Sequence, residues 1–231
     1  MSTIALLRAE VLEANLELVR HGLVVHAFGN VSAIDRDSGR VVIKPSGVGY
    51  EELSPQNMVP VSLEGRVLES GLNPSSDTKT HLALYRAFPH IGAVVHTHSP
   101  YATAWAQAGK AIPCLGTTHA DYFHGPVPVT RRLREKETET DYEYNTGLVI
   151  AEAIGERDPL TMPAVLVNSH GPFTWGRSVA AALQNAVILE EVARIAFMSL
   201  SIAPANEIEK HLLDRHYTRK HGANARYGQN K

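Results

Sequence analysis

Two histidines, His96 and His98, lie one residue apart at the end of the apolar segment "AVVHTHSPYA". Alternate residues of a β-strand point to the same face, so both imidazoles can reach one metal ion if the strand continues through Thr97. The chain contains 12 histidines, and at that frequency an isolated H-x-H pattern also arises by chance. The pair therefore needs a third ligand before it indicates a metal site.

His170 is the candidate third ligand, because it ends a second apolar segment, "MPAVLVNSH", and Gly171 and Pro172 then force a turn. Three neutral imidazoles with one open coordination position are typical of a catalytic zinc site. The alternative is that each is a hydrogen-bonded core histidine. We expect such structural roles for His81 and His119. Exposed positions are expected for His21, His26, His90 and His124.

Two segments are suited to binding an anion such as phosphate. "IKPSGVGY" follows a predicted strand and offers Ser46 and the main chain around Gly47, and "NPSSDTKTHLALY" places Ser75 and Ser76 where a helix begins. Helix N-termini attract anions through their free N–H groups and the helix dipole. Each segment alone is equally explained as an ordinary turn or helix cap. Asp77 is either a first-turn acid or a further metal ligand or base.

The composition of the chain excludes several classes of protein. With 231 residues, 44% of them hydrophobic and 20% charged, it is an ordinary globular chain. A net charge of −2 and no long run of like charges argue against nucleic-acid or membrane partners, which leaves small molecules. The single cysteine, Cys114, excludes an intrachain disulfide, and the amphipathic N-terminus is unlike a signal peptide. We therefore expect a cytoplasmic protein without a transmembrane span.

Hydrophobic periodicity predicts a single α/β domain over residues 1–231 with a mostly antiparallel sheet. An opening helix over residues 4–20 ends before Gly22. Two strand pairs are predicted around the turns at 37–39 and 64–65. Buried strands are predicted at 91–98 and 162–171. Further helices are predicted at 75–88, 100–109, 178–200 and 207–220.

Seven motifs, in order from about residue 8 to 229, resemble the class II aldolase/epimerase family and in particular its sugar-phosphate epimerases. They are "FGNVSAIDR", "IKPSGVGY", "PSSDTKTHLALYRAFP", "VVHTHSPYATAWAQAG", "GTTHADYFHG", "NSHGPFTWG" and "LLDRHYTRKHGANARYGQ". The resemblance implies a three-layered α/β fold, in which helices flank a central antiparallel sheet. It also implies a homotetramer with active sites between neighbouring subunits.

The same resemblance implies roles for individual residues. One divalent metal per subunit, zinc in the first place although the donors also accept Mn or Co, would be bound by Asp77, His96, His98 and His170. The substrate phosphate would be held by Gly29, Asn30, Lys44, Ser46, Gly47, Ser75 and Ser76. The catalytic acid/base residues would be Asp121 and, from a neighbouring subunit, Tyr227. Supporting roles fall to Thr117, Glu143, His216 and Arg219.

One position distinguishes the epimerases from the aldolases of the family, and two features depart from the family pattern. Class II aldolases of this family usually have Glu at the position of Asp77, so the shorter acid favours the epimerases. Arg226 precedes Tyr227, and Asn230-Lys231 extend the tail. Neither of these two departures removes a proposed catalytic group.

The implied reaction is the interconversion of L-ribulose 5-phosphate and D-xylulose 5-phosphate. It proceeds by retro-aldol cleavage of the C3–C4 bond, rotation of the aldehyde and re-addition. Two alternatives stay open from the sequence. One is a metal-dependent sugar-phosphate aldolase of the same family, and the other is a non-catalytic metal-binding or assembly domain on the same fold.

Overall fold

A six-stranded sheet lies at the centre of the computed structural model, which describes residues 3–69, 71–221 and 225. In chain order its strands are β1 (Asn30–Asp35), β2 (Arg40–Ile43), β3 (Val59–Ser62), β4 (Ala93–His96), β5 (Ala164–Leu166) and β6 (Pro172–Gly176). Their spatial order is β3-β2-β1-β4-β6-β5. All five neighbouring pairs are antiparallel, as the sequence predicts.

The helices of the described residues lie on both sides of this sheet. They are α1 (Thr3–Arg20), α2 (Thr78–Ala87), α3 (Pro100–Ala108), α4 (Thr117–Ala120), α5 (Glu135–Ile154), α6 (Val179–Ile202) and α7 (Lys210–His221). Helix α5 is interrupted at Asp141, whose φ of −152° and ψ of 79° are not helical. Among the described residues, no helix is both long enough and apolar enough to cross a membrane.

Two buried cores, one on each face of the sheet, give the molecule three layers. Successive side chains of a strand point to opposite faces, and in β2 Val41 and Ile43 join one core while Val42 joins the other. The Val42 core is covered by α1 and the first turns of α6. The Val41 core is covered by α2, α3, α5 and the later turns of α6. The expected helix–sheet–helix arrangement is confirmed.

Most predicted elements are present. The opening helix, the β1–β2 hairpin and the helices before and after β4 lie where hydrophobic periodicity places them. Gly109 ends α3 in the left-handed conformation, with φ 63°, where residues with a Cβ are strained. The predicted exposure of His21, His26, His90 and His124 is also confirmed.

Three predictions about local structure were wrong. The segment after Gly65 does not form a strand, because Val67 makes only a single bridge to Val61. Strand β4 ends at His96, and β5 ends at Leu166, so neither reaches the histidine beyond it. Two elements were not predicted from the sequence: helix α5, whose apolar residues follow no clear stripe, and strand β6, which begins at a proline.

We expect Gly29→Ala to destabilise the protein more than the matched change Gly39→Ala. Both glycines have positive φ (84° and 66°), which costs an alanine roughly 1–2 kcal/mol. A Cβ at Gly39 meets open space, whereas one at Gly29 would lie 2.9 Å from the main-chain oxygen of His96. Urea unfolding should therefore show an additional loss of at least about 1 kcal/mol for Gly29→Ala. Equal losses of unfolding free energy in the two variants would contradict the close approach of Gly29 to the main chain of His96.

Candidate active site

Three histidines converge beside the end of strand β4, where it pairs with the start of β6. His96 is the last residue of β4, His98 follows in the loop before α3, and His170 lies in the turn between β5 and β6. Because β4 pairs with β6, with His96 opposite Phe173, the turn before β6 brings His170 beside His96. The Nε2 atom of His98 lies 3.1 Å from Nε2 of His96 and 3.2 Å from Nε2 of His170.

The geometry of this histidine cluster suits a tetrahedral metal. Nitrogens bound 2.0–2.1 Å from zinc lie about 3.3–3.4 Å from one another, close to the observed separations. The Nδ1 atom of His96 is 3.0 Å from the carbonyl oxygen of Pro172. Because a carbonyl only accepts, Nδ1 carries the proton and Nε2 is left as a bare ligand atom.

Two members of the histidine cluster, His98 and His170, have lowered pKa values, which favours the neutral imidazole that metal binding requires. Burial, followed by the neighbouring imidazoles of His96 and His98, lowers the pKa of His170 to about 3. Burial and then His96 also lower the pKa of His98. Among the described residues, these three histidines are the group whose ligand atoms all lie within 4.8 Å of one another.

Tyr142 contacts the histidine cluster, although it is not among the site residues predicted from the sequence. Its hydroxyl lies 3.1 Å from Nδ1 of His170, and the two rings are stacked with centroids 6.2 Å apart. The residue follows the irregular Asp141, whose carboxylate pairs with Lys79 at 2.9 Å. No local sequence pattern points to Tyr142, because the contact depends on a distant turn.

We expect Tyr142→Phe to weaken metal binding without unfolding the protein. The phenol is the acceptor for Nδ1–H of His170 when Nε2 faces a metal, and loss of such a supporting contact typically costs 10–100-fold in metal affinity. Competition with a chelator measures the change. Tyr144→Phe, a neighbouring exposed tyrosine outside the cluster, is the control. An unchanged affinity in Tyr142→Phe would contradict this role.

Asp77 lies beside the histidine cluster, at the N-cap of α2. Its Oδ2 accepts a hydrogen bond of 2.6 Å from the side-chain amide of Asn30. Burial opposes its ionisation, but His96, His81 and the Asn30 amide outweigh that effect and hold its pKa below the usual value. Asp77 is not in the group of converging ligand atoms among the described residues. Its role as a metal ligand remains a prediction.

One cavity of about 290 Å³ joins the histidine cluster to the predicted phosphate segments. The residues predicted to hold phosphate all line it: Gly29, Asn30, Lys44, Ser46, Gly47, Ser75 and Ser76. Glu143, Tyr142 and Asp77 also line it. Two sequence segments with ordinary local explanations thus lie next to the predicted metal ligands, and only the fold brings them together.

Lys44 also has a structural role in this wall. Its side chain is buried, its ammonium donates to the Val48 carbonyl at 2.7 Å, and it lies 5.0 Å from the centre of the Tyr50 ring. Burial lowers the pKa of Lys44, against the opposing charge of Glu51. The lysine therefore shapes the loop that carries Ser46.

Asp121 lies in a second cluster, outside the cavity wall. Its carboxylate accepts from His216 at 3.0 Å and Arg219 at 3.2 Å, and pairs with Lys220 at 3.3 Å, all on α7. Burial opposes ionisation, but the hydrogen bonds from His216 and Lys220 hold the pKa of Asp121 low. Thr117 begins the short helix that ends before Asp121. Tyr227 lies outside the described residues.

The Class II Aldolase and Adducin N-terminal domain family matches residues 9–197 of the chain. This is most of its length. The chain belongs to that family.

Two curated relatives of this chain carry the same name. Proteins called L-ribulose-5-phosphate 4-epimerase UlaF from Salmonella paratyphi C (strain RKS4594) and Salmonella typhi are each 56% identical to it over 224 residues, covering 96% of this chain and 98% of the relative. The resemblance stated from seven motifs is confirmed, as is the prediction of an enzyme.

Solved structures of class II aldolases share the fold. An L-fuculose 1-phosphate aldolase superposes with a TM-score of 0.80 over 95% of this chain and 97% of its own, at 22% identity. An L-fuculose-1-phosphate aldolase from Thermus thermophilus has a TM-score of 0.66 over 87% of this chain and 98% of its own, at 25% identity. The predicted three-layered class II aldolase-like fold is confirmed.

Proposed function

We propose that this chain is a divalent-metal-dependent epimerase that interconverts L-ribulose 5-phosphate and D-xylulose 5-phosphate. The observation that carries the proposal is the single cavity in which three converging imidazoles face a wall of serine hydroxyls and glycine main chain. Such a cavity is suited to a sugar that has vicinal oxygens at one end and a phosphate at the other. The name shared by relatives at 56% identity supports the same substrate pair.

The substrate itself dictates the type of reaction. The C2 ketone acidifies the proton on C3, so simple enolisation cannot invert C4. The C4 hydroxyl is β to the ketone, however, and cleavage of the C3–C4 bond leaves a dihydroxyacetone enediolate and glycolaldehyde phosphate. Rotation of the aldehyde and re-addition to its opposite face invert C4, and no oxidation is needed.

Two sets of cavity residues bind the two ends of the substrate. His96, His98 and His170 hold the divalent cation, which we propose to be zinc. When bound, the cation stabilises negative charge that develops on substrate oxygens as a Lewis acid. Ser46 and Ser76 donate hydrogen bonds to the phosphate, together with the Gly47 main chain, Ser75 and Lys44. This clamp keeps the two-carbon fragment bound while its aldehyde turns.

Asn30 contributes to the cavity in a different way from the serines. Its amide nitrogen donates to Asp77, so the atom that remains for a ligand is an acceptor. A dianionic phosphate carries no proton that it could donate to this amide oxygen. We therefore propose that Asn30 orients Asp77 and accepts from a substrate hydroxyl, while Gly29 lets the chain pass close to His96.

The proton transfers need two groups on opposite faces of the aldehyde. The C4 oxygen loses a proton when the bond breaks and regains one after attack on the other face. We propose Asp121 and Tyr227 for these roles, with Thr117, Glu143, His216 and Arg219 in support. Because Asp121 lies outside the cavity wall of its own chain, we propose that a neighbouring subunit of a homotetramer supplies the acid/base groups to each cavity.

NMR of the metal-loaded protein with L-ribulose 5-phosphate tests the proposal. We expect D-xylulose 5-phosphate to form until equilibrium, without accumulation of glycolaldehyde phosphate. Accumulating aldehyde would favour a sugar-phosphate aldolase, the name carried by the solved relatives. If metal-loaded protein left all pentulose phosphates unchanged, the epimerase proposal would be wrong and a non-catalytic domain would be favoured.

A further inference from the structure

A chain of buried polar side chains runs beneath the candidate metal site. The ring of His81 is fully buried, and its Nδ1 lies 2.7 Å from Oγ of Ser32. The same oxygen lies 2.8 Å from the hydroxyl of Tyr85. Arg36 anchors the far end, since it donates to the main-chain oxygen of Tyr85 at 2.9 Å and lies over its ring. This series of hydrogen bonds links strand β1, which carries Ser32, to helix α2, which carries His81 and Tyr85.

Only one direction of these hydrogen bonds satisfies the hydroxyl groups. If Tyr85 donates to Ser32, and Ser32 donates to Nδ1 of His81, every hydroxyl hydrogen has an acceptor. In the reverse direction the Tyr85 hydrogen would have no side-chain acceptor among the described residues. This series of hydrogen bonds therefore fixes the neutral tautomer of His81 that carries its proton on Nε2.

That Nε2 proton is left without a partner. Among the described residues, four buried side-chain polar atoms make no hydrogen bond: Arg8 Nε, Asn30 Oδ1, His81 Nε2 and Thr103 Oγ1. Two of them, on Asn30 and His81, belong to residues that neighbour Asp77. A buried donor without an acceptor costs roughly 1–3 kcal/mol, so a contact that supplied an acceptor to His81 Nε2 would stabilise the site.

Asp77 is the acceptor that the fold offers to His81. The two residues are four apart at the start of α2, where the N–H of His81 donates to the main-chain oxygen of Asp77 at 3.1 Å, and side chains at this spacing share a helix face. Burial lowers the pKa of His81 to about 3, and the nearby Asp77 charge opposes that effect. Asn30 engages one carboxylate oxygen, and a carboxylate has room for further donors.

We propose that His81 is a positioning residue for Asp77, donating its Nε2 proton to the carboxylate when Asp77 turns toward the histidine cluster. Asn30 and His81 then hold the carboxylate from two sides, and the Ser32 hydroxyl, which donates to Nδ1 of His81, keeps the imidazole proton on Nε2. The inference rests on the proposed function in one respect, namely that Asp77 serves the metal centre. It does not depend on which sugar phosphate is the substrate.

Cobalt loading tests this role without any substrate, since the visible spectrum and affinity of Co²⁺ report its ligands. We expect His81→Leu to lower Co²⁺ affinity 10–100-fold and to change the spectrum. His81→Gln, whose amide nitrogen can take the place of Nε2, should retain affinity within several-fold. Tyr85→Phe is the matched control, because it removes a buried hydrogen bond but leaves Ser32 to donate to His81. It should lower the melting temperature and leave the cobalt spectrum unchanged.

A double-mutant cycle separates positioning from general stability. In an Asp77→Asn background we expect His81→Leu to have little further effect on Co²⁺ affinity, because its partner is already changed. Full additivity, or an unchanged spectrum in His81→Leu, would overturn the proposal. If His81→Leu does not fold, Ser32→Ala replaces it. Without the Ser32 hydroxyl, the His81 proton can occupy either ring nitrogen, so Ser32→Ala should weaken Co²⁺ binding several-fold. Equal Co²⁺ affinities for Ser32→Ala and Tyr85→Phe would also overturn the proposal. Absence of epimerase activity in the unmodified protein would refute the proposed function alone.

Discussion

His98→Asn is expected to abolish metal binding and epimerase activity together. His98 is the middle member of the histidine cluster, and its Nε2 lies within 3.2 Å of the other two Nε2 atoms. A supporting contact is worth 10–100-fold in metal affinity, so loss of a direct ligand should cost at least about 100-fold. Metal content after dialysis and turnover of L-ribulose 5-phosphate measure the two losses.

His90→Asn provides the matched control for this variant. His90 is exposed and lies outside the cavity wall, so its replacement removes an imidazole without touching the histidine cluster. We expect it to retain both metal and turnover. If His98→Asn keeps a full complement of metal, the histidine cluster is not the metal site and the proposed mechanism fails with it.

Asp121→Asn is expected to retain metal and lose turnover by about 10²–10⁴-fold, the usual contribution of a positioned acid or base. Asp121 does not line the cavity of its own chain, so its amide replacement should leave metal affinity unchanged. Turnover falls because an amide cannot exchange a proton with the substrate. We expect the same separation for Tyr227→Phe, although Tyr227 lies outside the described residues.

The control for Asp121→Asn must also remove a carboxylate that accepts a hydrogen bond from a side chain of α7. Asp214 accepts from Lys210 and His124 on the surface, so Asp214→Asn weakens comparable contacts of α7 without removing a residue of the proposed active site. We expect it to retain turnover. If the two variants lost turnover equally, the effect of Asp121 would lie in helix docking and not in proton transfer.

Mixing the two inactive variants tests whether sites are shared between subunits. A mixed site that takes its metal from an Asp121→Asn chain and its acid from a His98→Asn chain has both groups intact. With random exchange in a symmetric assembly, about one quarter of the sites are of this kind. We therefore expect turnover to recover to about a quarter of normal after subunit exchange. No recovery, despite demonstrated exchange, would place the whole site in one chain.

Local sequence patterns predicted the elements that depend on neighbouring residues. The β1–β2 hairpin follows from alternating residues around a glycine turn, and α1 and α6 follow from long apolar stripes. The same signals failed where local preference is weak. The β6 sequence "PFTWG" begins at a proline and is too short to show alternation, while α5 contains the irregular Asp141. Strand ends were also set by pairing, which stopped β4 at His96.

The sequence by itself determined the candidate metal ligands and the phosphate segments, because their residue types and motifs are legible without coordinates. Only the tertiary structure decided that they share one cavity, since His170 reaches His96 through the pairing of β4 with β6. It also decided that Asp121 is held by α7, and that Tyr142 and His81 lie beside the proposed metal site. The physical reason is that periodicity reports the solvent exposure of neighbouring residues, whereas these contacts join residues far apart in the chain and follow from strand order and helix packing.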